Sequence, residues 1–325
     1  MAEAPGGGLL RILFWGTPEF AVPSLRALED EGFHVVGVVT QPDRPAGRGR
    51  TLQPSAVKQA AEEMGLPVLT PERPRGDEFM DAVRALAPDL SVVVAYGHIL
   101  RREVLDLPPR GSINVHASLL PALRGAAPIN WAVARGHEET GVTIMRMAEA
   151  MDAGPILLQV TEPILADQTA TELWGRLSEV GAVALVEALT LMTSAGLEER
   201  EQDHDQATFA PKVDRAVARI DWARPAREIG WHVRGMDSVP GAWTELDGQP
   251  VKLFRPTVLD PAPAPEAGGQ TAPGTVLAAD PERGVVVAAG QGAVAFGEVQ
   301  PPGKRRMESA AWINGRGVAA GQRFE

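Results

Sequence analysis

Residues 9–40 read LLRILFWGTPEFAVPSLRALEDEGFHVVGVVT. Leu9–Trp15 is an apolar run broken only by Arg11, the pattern of a strand buried on both faces. Gly16-Thr17-Pro18 turns the chain, and Glu19–Glu31 then reads as a helix that buries Phe20, Leu25 and Leu28. Phe33–Thr40 is a second apolar strand. Strand, helix, strand is the unit of a parallel sheet, and it recurs outward from this stretch. A helix is expected over Ser55–Met64, started by Pro54 and Ser55 and stopped by Gly65. A short strand at Pro67–Leu69 and a helix at Asp77–Leu86 follow, then strands at Leu90–Tyr96 and Ser112–His116 and a helix at Pro128–Arg135. Strands at Val142–Met147 and Ile156–Val160 precede a long helix, Thr169–Ala195, which begins in a polar run with no evident cap. The fold class is α/β, a doubly wound, mostly parallel sheet.

After residue 197 the character changes. Glu198–Asp205 is charged and reads as a linker. From Ile220 the strands are short and turn signals crowd together at Asp247-Gly248, Pro273-Gly274, Arg283-Gly284 and Gly290-Gln291-Gly292, so a small β-rich domain, a barrel, is expected. Pro261–Pro273 reads as a surface loop. The division is a catalytic domain over 9–197, a linker over 198–212 and a β-barrel domain over 213–325.

Composition excludes several chemistries. The 325 residues contain no Cys, which removes disulfides, thiolate nucleophiles, iron–sulfur clusters and Cys-held zinc. The opening residues lack a basic n-region and a long apolar h-region, and no uninterrupted apolar run nears the roughly 20 residues that span a bilayer, so a cytoplasmic chain without membrane attachment is expected. A net charge of -11 opposes nonspecific binding of nucleic acid but not a local basic patch. The first turn offers one glycine, Gly16, where a dinucleotide fingerprint needs three. Gly297–Lys304 misses a phosphate loop in spacing, with Arg305 in place of Ser or Thr, and no G-x-S-x-G elbow occurs.

Asn114-Val115-His116 closes a buried strand. Residues two apart share a face, so Asn114 and His116 project together at the carboxyl end of a parallel strand, where doubly wound sheets hold ligands. An amide donor beside an imidazole suits a reaction that develops an oxyanion. The same spacing also describes a polar strand end facing water. The segment from Ala117 to Pro128 is an irregular loop, either packed on the surface or walling a ligand. Met151-Asp152-Ala153-Gly154-Pro155 joins two strands and offers a carboxylate that could hold the imidazole or position a water.

Asn114-x-His116, Ser118-Leu119-Leu120-Pro121 and Asp152-x-Gly154 resemble the signature of the 10-formyltetrahydrofolate-dependent formyltransferases. The stretches Gly16–Phe20, Thr40–Gly49, Val93–Gly97, Arg124–Pro128 and Ala218–Trp222 are similar to the branch of that family acting on methionyl-tRNA, and the likeness runs from about Arg11 to Phe324. It implies a Rossmann-like catalytic domain, an OB-like second domain, and formyl transfer from 10-formyltetrahydrofolate to the α-amine of methionyl initiator tRNA by a monomer that needs no metal, which fits the absence of Cys and of paired His ligands. Asn114 and His116 would stabilise the oxyanion, with Asp152 supporting His116 and relaying a proton. Ser118, Leu119, Leu120 and Pro121 would touch the folate, and Val94, Tyr96, Gly97, Ile99 and Leu100 would wall its pocket, although core packing explains the latter stretch as well.

Residues 41–58 form a long connection carrying Arg44, Arg48, Arg50 and Lys58 against Asp43, either a solvated loop or an insertion that contacts tRNA. Lys304, Arg305 and Arg306 add a second basic cluster. Two departures from the family pattern stand out: Ala122-Leu123 where a basic and an aromatic residue are usual, and Asp237-Ser238-Val239-Pro240 in place of a Pro- and Trp-rich stretch. Formyl transfer to a purine-pathway amine or nucleotide sugar, hydrolysis of 10-formyltetrahydrofolate, and RNA binding without catalysis are the competing readings. The 41–58 insertion and the second domain weigh against the first.

Overall fold

The computed structural model describes residues 9–46, 51–194, 196–264 and 271–325, and these form two compact units. The first comprises residues up to Gly125 together with Thr140–Glu162 and Trp174–Phe209; the second takes Ala126–Glu139, Pro163–Leu173 and Ala210–Glu325.

In chain order the elements begin β1 (Arg11–Gly16), α1 (Val22–Asp30), β2 (His34–Val39), β3 (Arg44–Ala46), β4 (Thr51–Gln53), α2 (Ala56–Glu63), β5 (Val68–Leu69) and α3 (Asp77–Ala85). They continue β6 (Leu90–Val94), α4 (Arg102–Leu105), β7 (Ser112–His116), α5 (Pro128–Ala134), β8 (Glu139–Arg146), β9 (Ile156–Pro163) and α6 (Ala170–Ser194). The main sheet has the order β5-β2-β1-β6-β7-β8-β9. Its pairs are parallel from β5 to β7, and β7 pairs antiparallel with β8. The sheet is thus mixed, with its parallel part where the apolar runs are longest.

Alternation along the strands sorts the helices onto two faces. Leu13 and Trp15 of β1 and Val93 of β6 pack with Met80 and Val83 of α3 and Val104 and Leu105 of α4. On the opposite face a Cβ added to Gly181 of α6 would lie 3.1 Å from Val115 Cγ1, so α6 rests against β7. By length and composition α6 could cross a membrane, contrary to the expectation that no segment would qualify. Leu177, Leu185 and Leu189 are nevertheless buried and Ser178 Oγ donates to the Phe20 carbonyl, the contacts of a core helix. Nor is its start uncapped. Thr169 N and Oγ1 donate to Glu172 Oε2 at 2.8 and 2.9 Å while Glu172 N reaches Thr169 Oγ1, a reciprocal capping box.

The connection over residues 41–58 contains the β3–β4 hairpin, which the alternation of strands and helices did not signal because each strand is three residues long. The stretch 198–212 is not a free linker over most of its length. Arg200 forms a β-bridge with Ile156, Arg124 forms another with Phe209, and Leu123 N donates to Thr208 Oγ1 at 2.9 Å.

The second unit adds α7 (Ala226–Met236), β10 (Trp243–Leu246), β11 (Gln249–Leu259), β12 (Val276–Asp280), β13 (Gly284–Ala288), β14 (Ala293–Gln300), β15 (Met307–Glu308) and α8 (Ser309–Asn314). Its strands form an antiparallel sheet in the order β10-β11-β14-β13-β12, with β15 on β14. Asp247 and Gly248, both at positive φ, make the tight β10–β11 turn, and Gly290–Gly292 turns between β13 and β14 as its glycines suggest. Trp222, Val233, Val285, Val287, Val294, Phe296 and Phe324 share one core. Helices α7 and α8 were not foreseen from the dense turn signals around them. Asp237 is buried and accepts from Arg306 Nη1 at 2.7 Å, which compensates the charge this chain places in the departing Asp237–Pro240 stretch.

Candidate active site

β7 pairs Asn114 with Val93 of β6 and with Met145 of β8, and pairs His116 with Thr143. Since Val115 faces α6, Asn114 and His116 emerge from the other face at the carboxyl end of β7. His116 is buried and Asn114 is partly exposed, so the pair lies across the boundary between core and solvent.

Two loops close on the imidazole. His116 Nε2 lies 3.1 Å from the Leu123 carbonyl, and Nδ1 lies 3.8 Å from Asp152 Oδ2. A carbonyl only accepts, so Nε2 carries hydrogen and Nδ1 is the atom that faces the carboxylate. Both contacts come from residues in the left-handed region, Leu123 at φ 60° and Asp152 at φ 51°. Non-glycine residues seldom adopt it, and two such residues around one ring mark a built site. Asp152 Oδ2 also accepts from Gly125 N at 2.8 Å. Gly154 admits no side chain, because an added Cβ would sit 2.0 Å from the Arg146 carbonyl. The Asp152-x-Gly154 spacing therefore has a steric origin.

The loop after β7 is internally fixed. Ser118 is fully buried and its Oγ donates to the Ala122 carbonyl at 2.6 Å. Thr143 Oγ1 donates to the Ser118 carbonyl and accepts from Leu120 N, while Gln159 Nε2 donates to the Leu120 carbonyl at 2.9 Å. Leu120 packs with Met145 and Ile156. Ser118 and Leu120 thus shape the loop, and Leu119 and Pro121 are its partly exposed members.

The stretch expected to wall a pocket divides similarly. Val94, Tyr96 and Leu100 are buried, the last two in the core with Trp15, whereas Gly97 and Ile99 are exposed, Ile99 by 80%. Gln41 Nε2 and Thr17 Oγ1 both donate to the Tyr96 carbonyl at 2.9 Å, tying the ends of β1, β2 and β6 together. Gly97, at φ 86°, lies where a Cβ would meet Gln41 Nε2 at 2.6 Å. Burial pushes the Tyr96 phenol up to about 12. Among the described residues the Tyr96 hydroxyl and His98 Nε2 are buried without a hydrogen-bond partner, and their rings lie 5.7 Å apart.

The expected RNA-contacting cations are not equivalent. Arg48 and Arg50 lie outside the described residues, and Arg44 is exposed on β3. Lys58 Nζ donates to Asp43 at 2.8 and 3.0 Å, and that bond raises its pKa. Lys304 and Arg305 are exposed, but Arg306 is engaged by Asp237 and Glu298 and covers the Phe254 ring at 4.0 Å. Lys58 and Arg306 are therefore committed within the protein.

The sequence reading missed Arg124 and Gln202. Arg124 is buried and donates through Nη2 to Gln202 Oε1 at 2.6 Å and to His204 Nδ1 at 2.9 Å. Gln202 Nε2 in turn donates to the Asp152 and Gly154 carbonyls. Nothing in a charged run such as Glu198–Asp205 distinguishes an inward-facing amide from its solvated neighbours.

Known proteins resemble this chain along nearly its whole length. Residues 10–189 match the formyl transferase model and residues 212–317 the formyl transferase C-terminal domain model. A methionyl-tRNA formyltransferase of Symbiobacterium thermophilum is 48% identical over 316 residues, covering 97% of this chain and 95% of the relative. One from Desulfotalea psychrophila is 47% identical over 311 residues, covering 96% and 94%. The solved N-formyltransferase from Helicobacter canadensis, complexed with folinic acid and dTDP-3-aminofucose, aligns over 89% of this chain and 99% of its own with TM-score 0.63 and 16% identity, a likeness of fold alone. With both models matched in order and near-full-length identity approaching one half, the chain belongs to the methionyl-tRNA formyltransferase family.

Proposed function

We propose that the protein transfers the formyl group of 10-formyltetrahydrofolate to the α-amine of methionyl initiator tRNA, with Asn114, His116 and Asp152 as its catalytic residues. The observation that carries this reading is the approach of Asp152 to His116 beside Asn114 at the carboxyl end of β7. The amine attacks the formyl carbon, forming the new C–N bond, and the carbonyl oxygen takes the negative charge. The Asn114 amide donates to that oxygen, where a preorganised donor acts most strongly because it need not reorient, and His116, whose Nε2–H is held by the Leu123 carbonyl, donates to it from Nδ1 when that atom carries a proton. Asp152 receives the proton the amine loses and passes it to N10 of the leaving tetrahydrofolate as the carbonyl re-forms and the bond from carbon to N10 breaks. The Leu123 carbonyl holds the ring so that this exchange uses one fixed orientation.

The residues present fit a folate. Exposed Ile99 offers apolar surface, and the unpaired Tyr96 hydroxyl and His98 Nε2 offer polar atoms that the amide groups of a pterin could satisfy. Leu119, Pro121 and Gly97 are the other members of the expected contact set with accessible surface. We assign tRNA recognition to the 41–58 insertion, through Arg44, Arg48 and Arg50, and to Lys304 and Arg305 of the second unit. The antiparallel sheet of that unit supports a barrel of OB type, a fold suited to nucleic acids.

The deciding experiment is transfer of labelled formyl from 10-formyltetrahydrofolate to charged initiator tRNA, charged elongator tRNA and free amines. Transfer confined to the initiator species is expected. Preferential formylation of a small amine, or release of formate without an acceptor, would replace this reading with one of its competitors.

A further inference from the structure

Gln202 is 5% exposed and every polar atom of its amide is engaged. Its Oε1 accepts from Arg124 Nη2 at 2.6 Å and from Arg124 Nε at 3.1 Å. Its Nε2 donates to the Asp152 carbonyl at 2.9 Å and the Gly154 carbonyl at 2.7 Å. One side chain thereby joins two loops that are remote in sequence. Each loop supplies one side of the bond that orients the carboxylate, since Gly125 N, adjacent to Arg124, donates to Asp152 Oδ2. Asp152 stands at positive φ, a conformation its own backbone does not favour, so its place depends on the groups around it. The direction of the amide matters too. Two carbonyls on one side require a donor there, and a guanidinium on the other requires an acceptor, so neither a carboxylate nor an apolar group can serve both.

We infer that Gln202 is a positioning residue for the reaction: it fixes the Asp152 carboxylate against His116 by bracing both the Asp152 turn and the Arg124–Gly125 turn. The inference rests on the catalytic reading of Asp152. Misplacing a catalytic group by about 1 Å can cost on the order of 100-fold in rate, which sets the scale of the effect.

The test compares the wild type with Gln202→Ala, Gln202→Glu, Asp152→Ala and the Gln202→Glu/Asp152→Ala double variant, each checked for folding by circular dichroism and a thermal melt. Single-turnover formylation and KM for both substrates are measured. Gln202→Glu is the critical variant, because it keeps the size of the side chain and the acceptor toward Arg124 but removes the donor to the two carbonyls. A loss in kcat of about 10- to 100-fold is expected in both Gln202 variants, with KM unchanged for tRNA and folate. The double variant should be no slower than Asp152→Ala alone, because the brace has no carboxylate left to hold. Wild-type turnover in folded Gln202→Glu, losses that multiply in the double variant, or a Gln202→Glu chain that does not fold would each overturn the positioning role while the catalytic reading stands. Wild-type turnover in Asp152→Ala would instead overturn the catalytic reading itself.

Discussion

Asn114, His116 and Asp152 differ in how firmly each is held. His116 is fixed on two sides and Asp152 on several, whereas Asn114 stands at the partly exposed edge of β7. An oxyanion donor typically contributes roughly 10²–10³ in kcat, and Asn114→Ala should lose that much while melting like the wild type. His116→Ala and Asp152→Ala should be similarly impaired, and pairs of these changes should cost little more than one, as for groups acting as a unit. Full turnover in Asn114→Ala would reject its role. Gly154→Ala forces a Cβ against the Arg146 carbonyl, so the Asp152 turn must move. Turnover should fall by about 10-fold or more, and the thermal midpoint should drop as well; an unchanged midpoint would show that the turn yields without strain. The strand period puts Asn114 and His116 on one face, but that spacing describes a polar strand end equally well, and the roles proposed for them and for Asp152 came from the likeness of their motifs to the formyltransferases. Leu123, Arg124 and Gln202 were not legible, because a loop has no period from which to read direction.

Among the elements, α6 and α7 carry measurable consequences. Removing the Thr169 hydroxyl takes away half of the capping box, and Thr169→Ala should destabilise the protein by about 1 kcal/mol in a denaturant titration. An unchanged midpoint would mean that packing alone fixes the start of the helix. His232 of α7 is partly buried, and burial lowers its pKa from the usual 6.5. The native state then resists a proton that the unfolded chain accepts, so stability is complete above pH 6.5 and declines as pH falls below it. His232→Gln should flatten this decline in melts taken across the acidic range, and an identical slope in the variant would assign the acid sensitivity elsewhere. The long elements of the first unit were readable from their apolar period, and the Ser55 cap of α2 and its Gly65 stop were read from residue type, whereas the 11-residue α7 was hidden among turn signals. The β3–β4 hairpin and α8 escaped because three residues per strand, or about a helical turn and a half, are too few for a period to emerge.

For the molecule as a whole, the question is how a chain of net charge -11 holds a polyanion. Repulsion is screened beyond about 8–10 Å at physiological salt, so local cations decide. With Lys58 and Arg306 engaged in internal ion pairs, we assign the proposed tRNA contact of the 41–58 insertion to its arginines. Arg48→Ala is expected to raise KM for methionyl-tRNA and lower kcat with little effect on folate KM, and to reduce the salt slope of tRNA binding by about one unit or less. Unchanged tRNA kinetics at low and moderate salt would shift the contact to Lys304 and Arg305. The sequence by itself determined the alternation of buried strands and helices, the change of character after residue 197 and the face shared by Asn114 and His116. Each of these follows from spacing along the chain, which the backbone converts directly into direction. Tertiary structure alone decided that 126–139 and 163–173 group with the second unit. It alone decided that residues 200–209 bond to the loops around Asp152 and Arg124, and that Lys58 and Arg306 are held in internal pairs. Those outcomes depend on which groups meet across dozens of residues, and no local pattern of residue types specifies a partner at that distance.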